Sequence, residues 1–176
     1  MRLTSRMDSI QAVEQTKDDL AELYRIHAPR LRALAYLLTG NPSDAEELVQ
    51  EAFARVVGRF LHIRRRSSVG AYLRRALVNL HTSRLRRLRL ERRHLTELKA
   101  QPSPVSTIPD IEGTDELVSA LLRVPPRQRA AVVLRYGDDM SEEQVADAMR
   151  CSRAAAKNLI ARALKQLREE LGRELK

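Results

Sequence analysis

Among 176 residues there is a single cysteine, Cys151, so no internal disulfide can form. Its position inside a turn points to a small buried residue. The four histidines, His27, His62, His81 and His94, are scattered without metal-ligand spacing to one another or to Cys151, which argues against a metal centre. No apolar run approaches the roughly 18–20 residues that span a bilayer, and the opening MRLTSRMDSI lacks a signal-peptide core. The expectation is a cytoplasmic chain without membrane insertion. Strand alternation, internal repeats and a glycine-rich phosphate loop are also absent. The acids fall on exposed helical faces and in a linker, not in clusters that would hold a metal or serve a nucleophile. An enzyme is therefore not expected, nor is a cofactor.

What is present is positive charge, unevenly placed. The net charge is +9, yet residues 1–60 hold eight Lys+Arg against nine Asp+Glu. Residues 61–100 hold twelve against two, residues 101–122 none against four, and residues 123–176 twelve against eight. Two basic modules separated by an acidic spacer form an electrostatic footprint for a polyanion.

Along the chain, residues 1–16 lack a strong period and are expected to be a mobile tail, and Met7 is an alternative start. From Lys17, Leu20, Leu23, Tyr24, Leu31, Leu34, Ala35 and Leu38 fall at helical spacing as far as Thr39-Gly40, where Gly suits a C-cap. Pro29 either kinks this helix or divides it in two. Pro42 and Asp44 open a second helix, with Ser43 and Glu46 at capping-box spacing. It buries Ala45, Leu48, Val49, Ala52, Phe53, Val56 and Phe60, and its far side presents Glu47, Gln50, Ala54 and Gly58, flanked by Asp44 and Glu51. On spacing alone, that acidic face reads as solvated more readily than as a partner site.

After the basic connector LHIRRRSS at 61–68, one long helix runs from Val69 to about Leu98, burying Leu73, Ala76, Leu77, Leu80, Leu85 and Leu88. Arg84, Arg86, Arg87, Arg89, Arg92 and Arg93 crowd its C-terminal half. The negative end of a helix favours some cations, but charge this dense costs stability unless a polyanion neutralises it. QPSPVSTIPDIEGTD, 101–115, with three prolines and four acids nearby, reads as an extended linker. A second domain follows: a short helix burying Leu117, Ala120, Leu121 and Val124, then one begun by Pro125-Pro126 that buries Ala130, Val133 and Leu134. Gly137-Asp138-Asp139 turns the chain.

SEEQVADAMRCSRAAAKNLIARALKQL, 141–167, then reads as a helix-turn-helix. Ser141 and Gln144 make a capping box, Arg150-Cys151-Ser152 the break, and Ser152 a cap for the second helix. That helix places Ala156, Leu159, Ile160, Ala163 and Leu167 on one apolar stripe. Opposite stand Ala154, Asn158, Ala161, Arg162 and Lys165, with Lys157 on the flank. Asn and Arg hydrogen-bond base edges in a bidentate way, and alanines permit close approach. An ordinary helical hairpin with a solvated polar face gives the same local pattern.

Several strings together carry a resemblance: YRIHAPRLRALAYLLTGNPSDAEELVQEAFARVV and AYLRRALVNLHTSRLRRLRLERR in the first module, VPPRQRAAVVLRYGDDMSEEQVADAMRCS and KNLIARALKQLREEL in the second. From about Leu23 to Leu171 the chain resembles the extracytoplasmic-function sigma factors of bacterial RNA polymerase. The resemblance implies an all-α fold of two small helical domains: a tail at 1–16, sigma region 2 at 17–99, a linker at 100–115 and sigma region 4 at 116–176. It implies a protein that loads core polymerase onto promoters and melts them. Asp44, Glu47, Gln50 and Glu51 would dock on the clamp helices of the largest subunit. Tyr72, Asn79, Arg84, Arg86, Arg87 and Arg89 would read and melt the minus-ten element along the non-template strand. Ser152, Arg153, Lys157, Asn158, Arg162 and Lys165 would read the minus-thirty-five duplex while that module grips the flap, with Arg153 and Lys157 better placed for phosphates. An anti-sigma factor is a commonly associated partner in the family.

The chain departs from the family pattern at several points. Tyr72 stands where a tryptophan is common, so stacking during melting falls to a smaller ring. Ser83 replaces a common aspartate, Arg150 the turn glycine, and Ala154-Ala155-Ala156 a common glycine-threonine-valine. A free-standing helix-turn-helix regulator is the alternative. It leaves the arginine-rich helix and acidic spacer unexplained, and normally needs dimer symmetry to read two half-sites.

Overall fold

The computed structural model describes residues 4–60, 69–98 and 116–174, with side chains described for 20–56, 69–88, 90–91 and 116–172. The basic connector at 61–68 and the acidic linker at 101–115 lie outside the described residues. The described residues form α-helices α1 (Thr4–Thr39), α2 (Pro42–Phe60), α3 (Val69–Leu98), α4 (Glu116–Arg123), α5 (Pro126–Val132), α6 (Glu142–Met149) and α7 (Arg153–Glu174), with no strand. A π-helical turn, Val133–Gly137, extends α5.

The first three helices bury the apolar stripes expected of them. Leu23, Leu31, Leu34, Ala35 and Leu38 of α1 meet Ala45, Leu48, Val49, Ala52, Phe53 and Val56 of α2, and Leu73, Leu77 and Leu80 of α3. Pro29 sits inside α1 without dividing it, and residues 4–16, expected as a tail, continue that helix. Gly40 ends α1 at φ +68, in the left-handed region that glycine enters without penalty. The cap of α2 differs from expectation. Asn41 Oδ1, and not Ser43, accepts from the backbone N–H groups of Ser43 and Asp44 at 2.8 and 3.1 Å. Glu46, the acid expected to close the Ser43 box, is held instead by Arg32 and Tyr24 of α1.

In the second half, Ala130, Ala131, Val133 and Leu134 pack with Val145, Ala146, Ala148 and Met149 of α6 and with Ala156, Ile160, Ala163 and Leu167 of α7. Leu117, expected in the core, is 45% exposed, and Val118 is buried in its place. The buried face of α4 is turned because the helix lies between α7 and α1, where Leu122 covers Gly40. Leu88, also expected inside, is 38% exposed on α3. Leu90, two positions on, is likewise half exposed.

The capping box of α6 is complete: Ser141 Oγ accepts from Gln144 N–H at 3.2 Å, and Gln144 Oε1 accepts from Ser141 N–H at 2.8 Å. Arg150 then closes α6 at φ 52, and Cys151 N–H donates to Ala146 O at 3.0 Å. A glycine would take this left-handed cap without the Cβ clash that Arg150 carries. The two halves share one continuous buried cluster: α1 and α3 pack against α4, α5 and α6.

Candidate nucleic-acid interface

Three exposed polar faces emerge from this packing. The first is on α2, where burying Ala45, Leu48, Val49 and Ala52 turns Asp44, Glu47, Gln50 and Glu51 outward, all exposed. Glu51 pairs within its own helix with Arg55 at 2.9 Å, and Glu47 reaches Arg84 Nη1 of α3 at 3.0 Å. Glu46 beside them belongs to the fold. Arg32 donates to it, Tyr24 Oη donates to it at 3.0 Å and Gln50 at 3.3 Å. The hydrogen bond from Arg32, with those from Tyr24 and Gln50, holds its carboxyl down to about 2, against a partial opposing effect of burial.

The second face is on α3, and here the structure splits the expected set. Tyr72, Asn79 and Ser83 line one side of the helix, in a cleft with Arg55, Arg75 and Arg150. Asn79, Ser83 and Arg86 line an adjoining cleft of about 570 Å³ with Arg127 and Arg150, against Pro125 and Pro126. Arg84 turns away from these toward Glu47, and Arg87 is exposed, 3.6 Å from Glu91 one turn on. Arg89 lies within α3, but its side chain is outside the described residues. The cleft side thus joins a half-buried ring, an amide and several guanidinium groups. That chemistry suits unpaired bases and their phosphates.

The third face is on α7. With Ala156, Ile160, Ala163 and Leu167 buried, Lys157, Asn158, Arg162 and Lys165 point outward, and Ala154 and Ala161 leave space between them. Ser152 Oγ accepts from Ala155 N–H at 3.2 Å, so it caps the helix and stands at its positive end. Arg153 Nε lies 3.5 Å from Glu142 Oε2 and ties α7 to α6. Gln166 Nε2 donates to Arg123 O at 2.9 Å and fixes α7 against the end of α4. The result is a helix, packed on its inner side, that presents an amide and three cations on its outer face.

Sequence reasoning missed the groups that join the halves. Asp138, in the loop before α6, has a side chain only 1% exposed, between Arg30 of α1 and Arg74 of α3. His81, also buried, has its imidazole held down to about 4 by burial first, then by the cations Arg129 and Arg84. Among the described residues no group of three or more His, Cys, Asp and Glu could hold a metal, and no helix is long and apolar enough to cross a membrane.

The family descriptions sigma-70 region 2 and sigma-70 region 4 match residues 23–91 and 114–167. The RNA polymerase sigma-E factor of Streptomyces coelicolor is 35% identical over 154 residues, covering 87% of this chain and 86% of that one. Its counterpart in Streptomyces antibioticus is 36% identical over 140 residues, covering 76% and 74%. The fold is also that of the sigma factor RpoE, solved in complex with the anti-sigma factor NepR from Bartonella quintana. The TM-score is 0.69 at 24% identity, covering 88% of this chain and 97% of that one. A regulator using only its helix-turn-helix would not account for the match to region 2. Both regions being present in order, with relatives of this identity over most of its length, the chain belongs to the extracytoplasmic-function sigma factors of the sigma-70 family.

Proposed function

We propose that this sigma factor divides its work among the three faces. Residues 17–99 form the module that holds core RNA polymerase and the minus-ten element, and residues 116–176 the module that reads the minus-thirty-five element, with 100–115 as the linker and 1–16 preceding both. Asp44, Glu47, Gln50 and Glu51 meet basic groups on the clamp helices of the largest subunit, and the second module grips the flap. Tyr72, Asn79 and Arg86 receive the melted non-template strand, with Arg84, Arg87 and Arg89 along its phosphates. Asn158, Arg162 and Lys165 read duplex base edges, while Ser152, Arg153 and Lys157 hold phosphates. The protein carries no chemistry of its own and works in the cytoplasm beside the polymerase. An anti-sigma factor is a further proposed partner, as NepR is for RpoE.

The observation that carries this reading is the separation of charge by face: exposed acids on α2, exposed cations beside the half-buried Asn79 on α3, and exposed cations with Asn158 on α7. One test replaces Arg86 and Arg87 together with Ala. Open-complex formation, followed by permanganate reactivity of unpaired thymines, should fall while core binding is retained. Equal loss of both would assign those arginines to the fold.

A further inference from the structure

The two clefts beside α3 share Asn79, Ser83 and Arg150. The first, of about 570 Å³, has an apolar wall made by Val78, Leu85, Pro125, Pro126 and Met149, with Arg86 and Arg127 beside it. The second, of about 580 Å³, is bordered by Arg55, Arg75 and Tyr72. Five arginines from α2, α3, α5 and the end of α6 therefore surround the pair, and no carboxylate lines either one. Among the described residues Arg86, Arg127 and Arg150 form no ion pair. Arg55 pairs with the exposed Glu51, and Arg75 gives one N–H to the Asp147 carbonyl at 2.7 Å, which leaves its other donors free to turn to a ligand.

A cleft lined by one sign of charge focuses its field and concentrates counter-ions. The volume of each is that of a small-molecule site. A strand lying along α3 uses the cations of that helix, whereas Arg127 and Arg150 come from the second half of the chain. Arg150 is a further, independent sign. It lines both clefts and is held at φ 52, where a glycine would sit without strain. A bulky residue kept in such a conformation points to a use for its side chain. The chemistry on offer is an apolar wall for a flat ring, the Asn79 amide for a ring edge, and a row of arginines for successive phosphates.

We infer that the paired clefts form a binding site for a free nucleoside di- or triphosphate. Its base lies against Pro125, Pro126 and Met149, Arg86 and Arg127 meet the phosphate nearest the sugar, and the outer phosphates reach Arg150, Arg75 and Arg55. The site goes beyond the strand-holding role proposed for α3 and does not rest on it. Nucleotide and melted strand would both call on Asn79 and Arg86, so occupancy couples the nucleotide's concentration to promoter melting.

The test is titration calorimetry of the full chain, without polymerase or DNA, at about 0.15 M ionic strength so that loose surface attraction is screened. The probes are ATP, GTP, CTP and UTP, with adenosine and inorganic tripolyphosphate as the base and the charge alone. At least one nucleoside triphosphate should bind saturably, one to one, and roughly tenfold more tightly than tripolyphosphate because its ring buries apolar surface. Adenosine should not bind measurably. Arg150→Gly and Arg127→Ala should each weaken the nucleotide by roughly tenfold through loss of a charge-assisted contact. Arg168→Ala, which removes an exposed cation that lines neither cleft, should change nothing. No saturable binding of any triphosphate overturns the site, as does tripolyphosphate binding as tightly as the nucleotides, an equal loss in Arg168→Ala, or unchanged affinity in both cleft variants. Should Arg150→Gly lose its helicity, Arg127→Ala, at an exposed side chain, decides alone. Anisotropy with a labelled single strand, read separately, reports on the strand-holding role.

Discussion

Arg150 and His81 each hold a state that an isolated residue would not choose. Arg150 closes α6 at φ 52, where its Cβ crowds the following carbonyl. Arg150→Gly should stabilise the chain by about 0.5–1 kcal/mol, since strain relief outweighs the added freedom of the unfolded chain. Urea denaturation checks this, and a loss of stability would mean that the Arg150 side chain contributes more than its backbone costs. His81 has its pKa lowered to about 4 by burial and by nearby Arg129 and Arg84, so the folded chain keeps it neutral. Between pH 6.5 and 4 the unfolded chain takes up a proton that the folded chain refuses. Stability is therefore retained above 6.5 and lost as pH falls toward 4, by about 3 kcal/mol in all. Urea titrations across that range should show the wild-type curve falling more steeply than that of His81→Leu; parallel curves would remove His81 as the cause.

At the scale of elements, α7 combines a packed face with a presented one. Asn158→Ala and Arg162→Ala should each reduce discrimination at the minus-thirty-five element by about 1–3 kcal/mol while leaving melting temperature nearly unchanged, because both side chains are exposed. Competition binding of the reconstituted holoenzyme to matched and altered duplexes measures this. Uniform weakening on every duplex would place the side chain on a phosphate. These two faces were legible in the sequence because a helix repeats every 3.6 residues, and the stripe Ala156-Ile160-Ala163-Leu167 fixes the rest. The Ser141 box was legible for a similar reason, since both partners lie within one turn. The cap of α2 was not. Asn41 and Ser43 both satisfy the local pattern, and Glu46 is drawn off by Arg32 and Tyr24 on a different helix. Likewise Leu88 continues the stripe of α3 yet is 38% exposed, because periodicity marks a face without saying what packs on it.

At the scale of the molecule, sequence periodicity describes two modules and is silent on their contact. Asp138 reads locally as a turn residue, and its partner Arg30 stands 108 positions away on α1. The acidic face of α2 is ambiguous on its own and gains meaning only beside the region 2 and region 4 matches, which set it on a sigma factor. Under the proposed function the chain is a divided reader: one helix face for the polymerase, one for the duplex and one, on the cleft side of α3, for the strand that melting exposes. The most direct test is run-off transcription with purified chain and core polymerase on genomic promoter fragments. The account predicts specific initiation from a subset of fragments only when the chain is added, and its loss with charge reversal of Glu47 and Glu51. Specific duplex binding by the chain alone, with no binding to core and no initiated transcript, would contradict it.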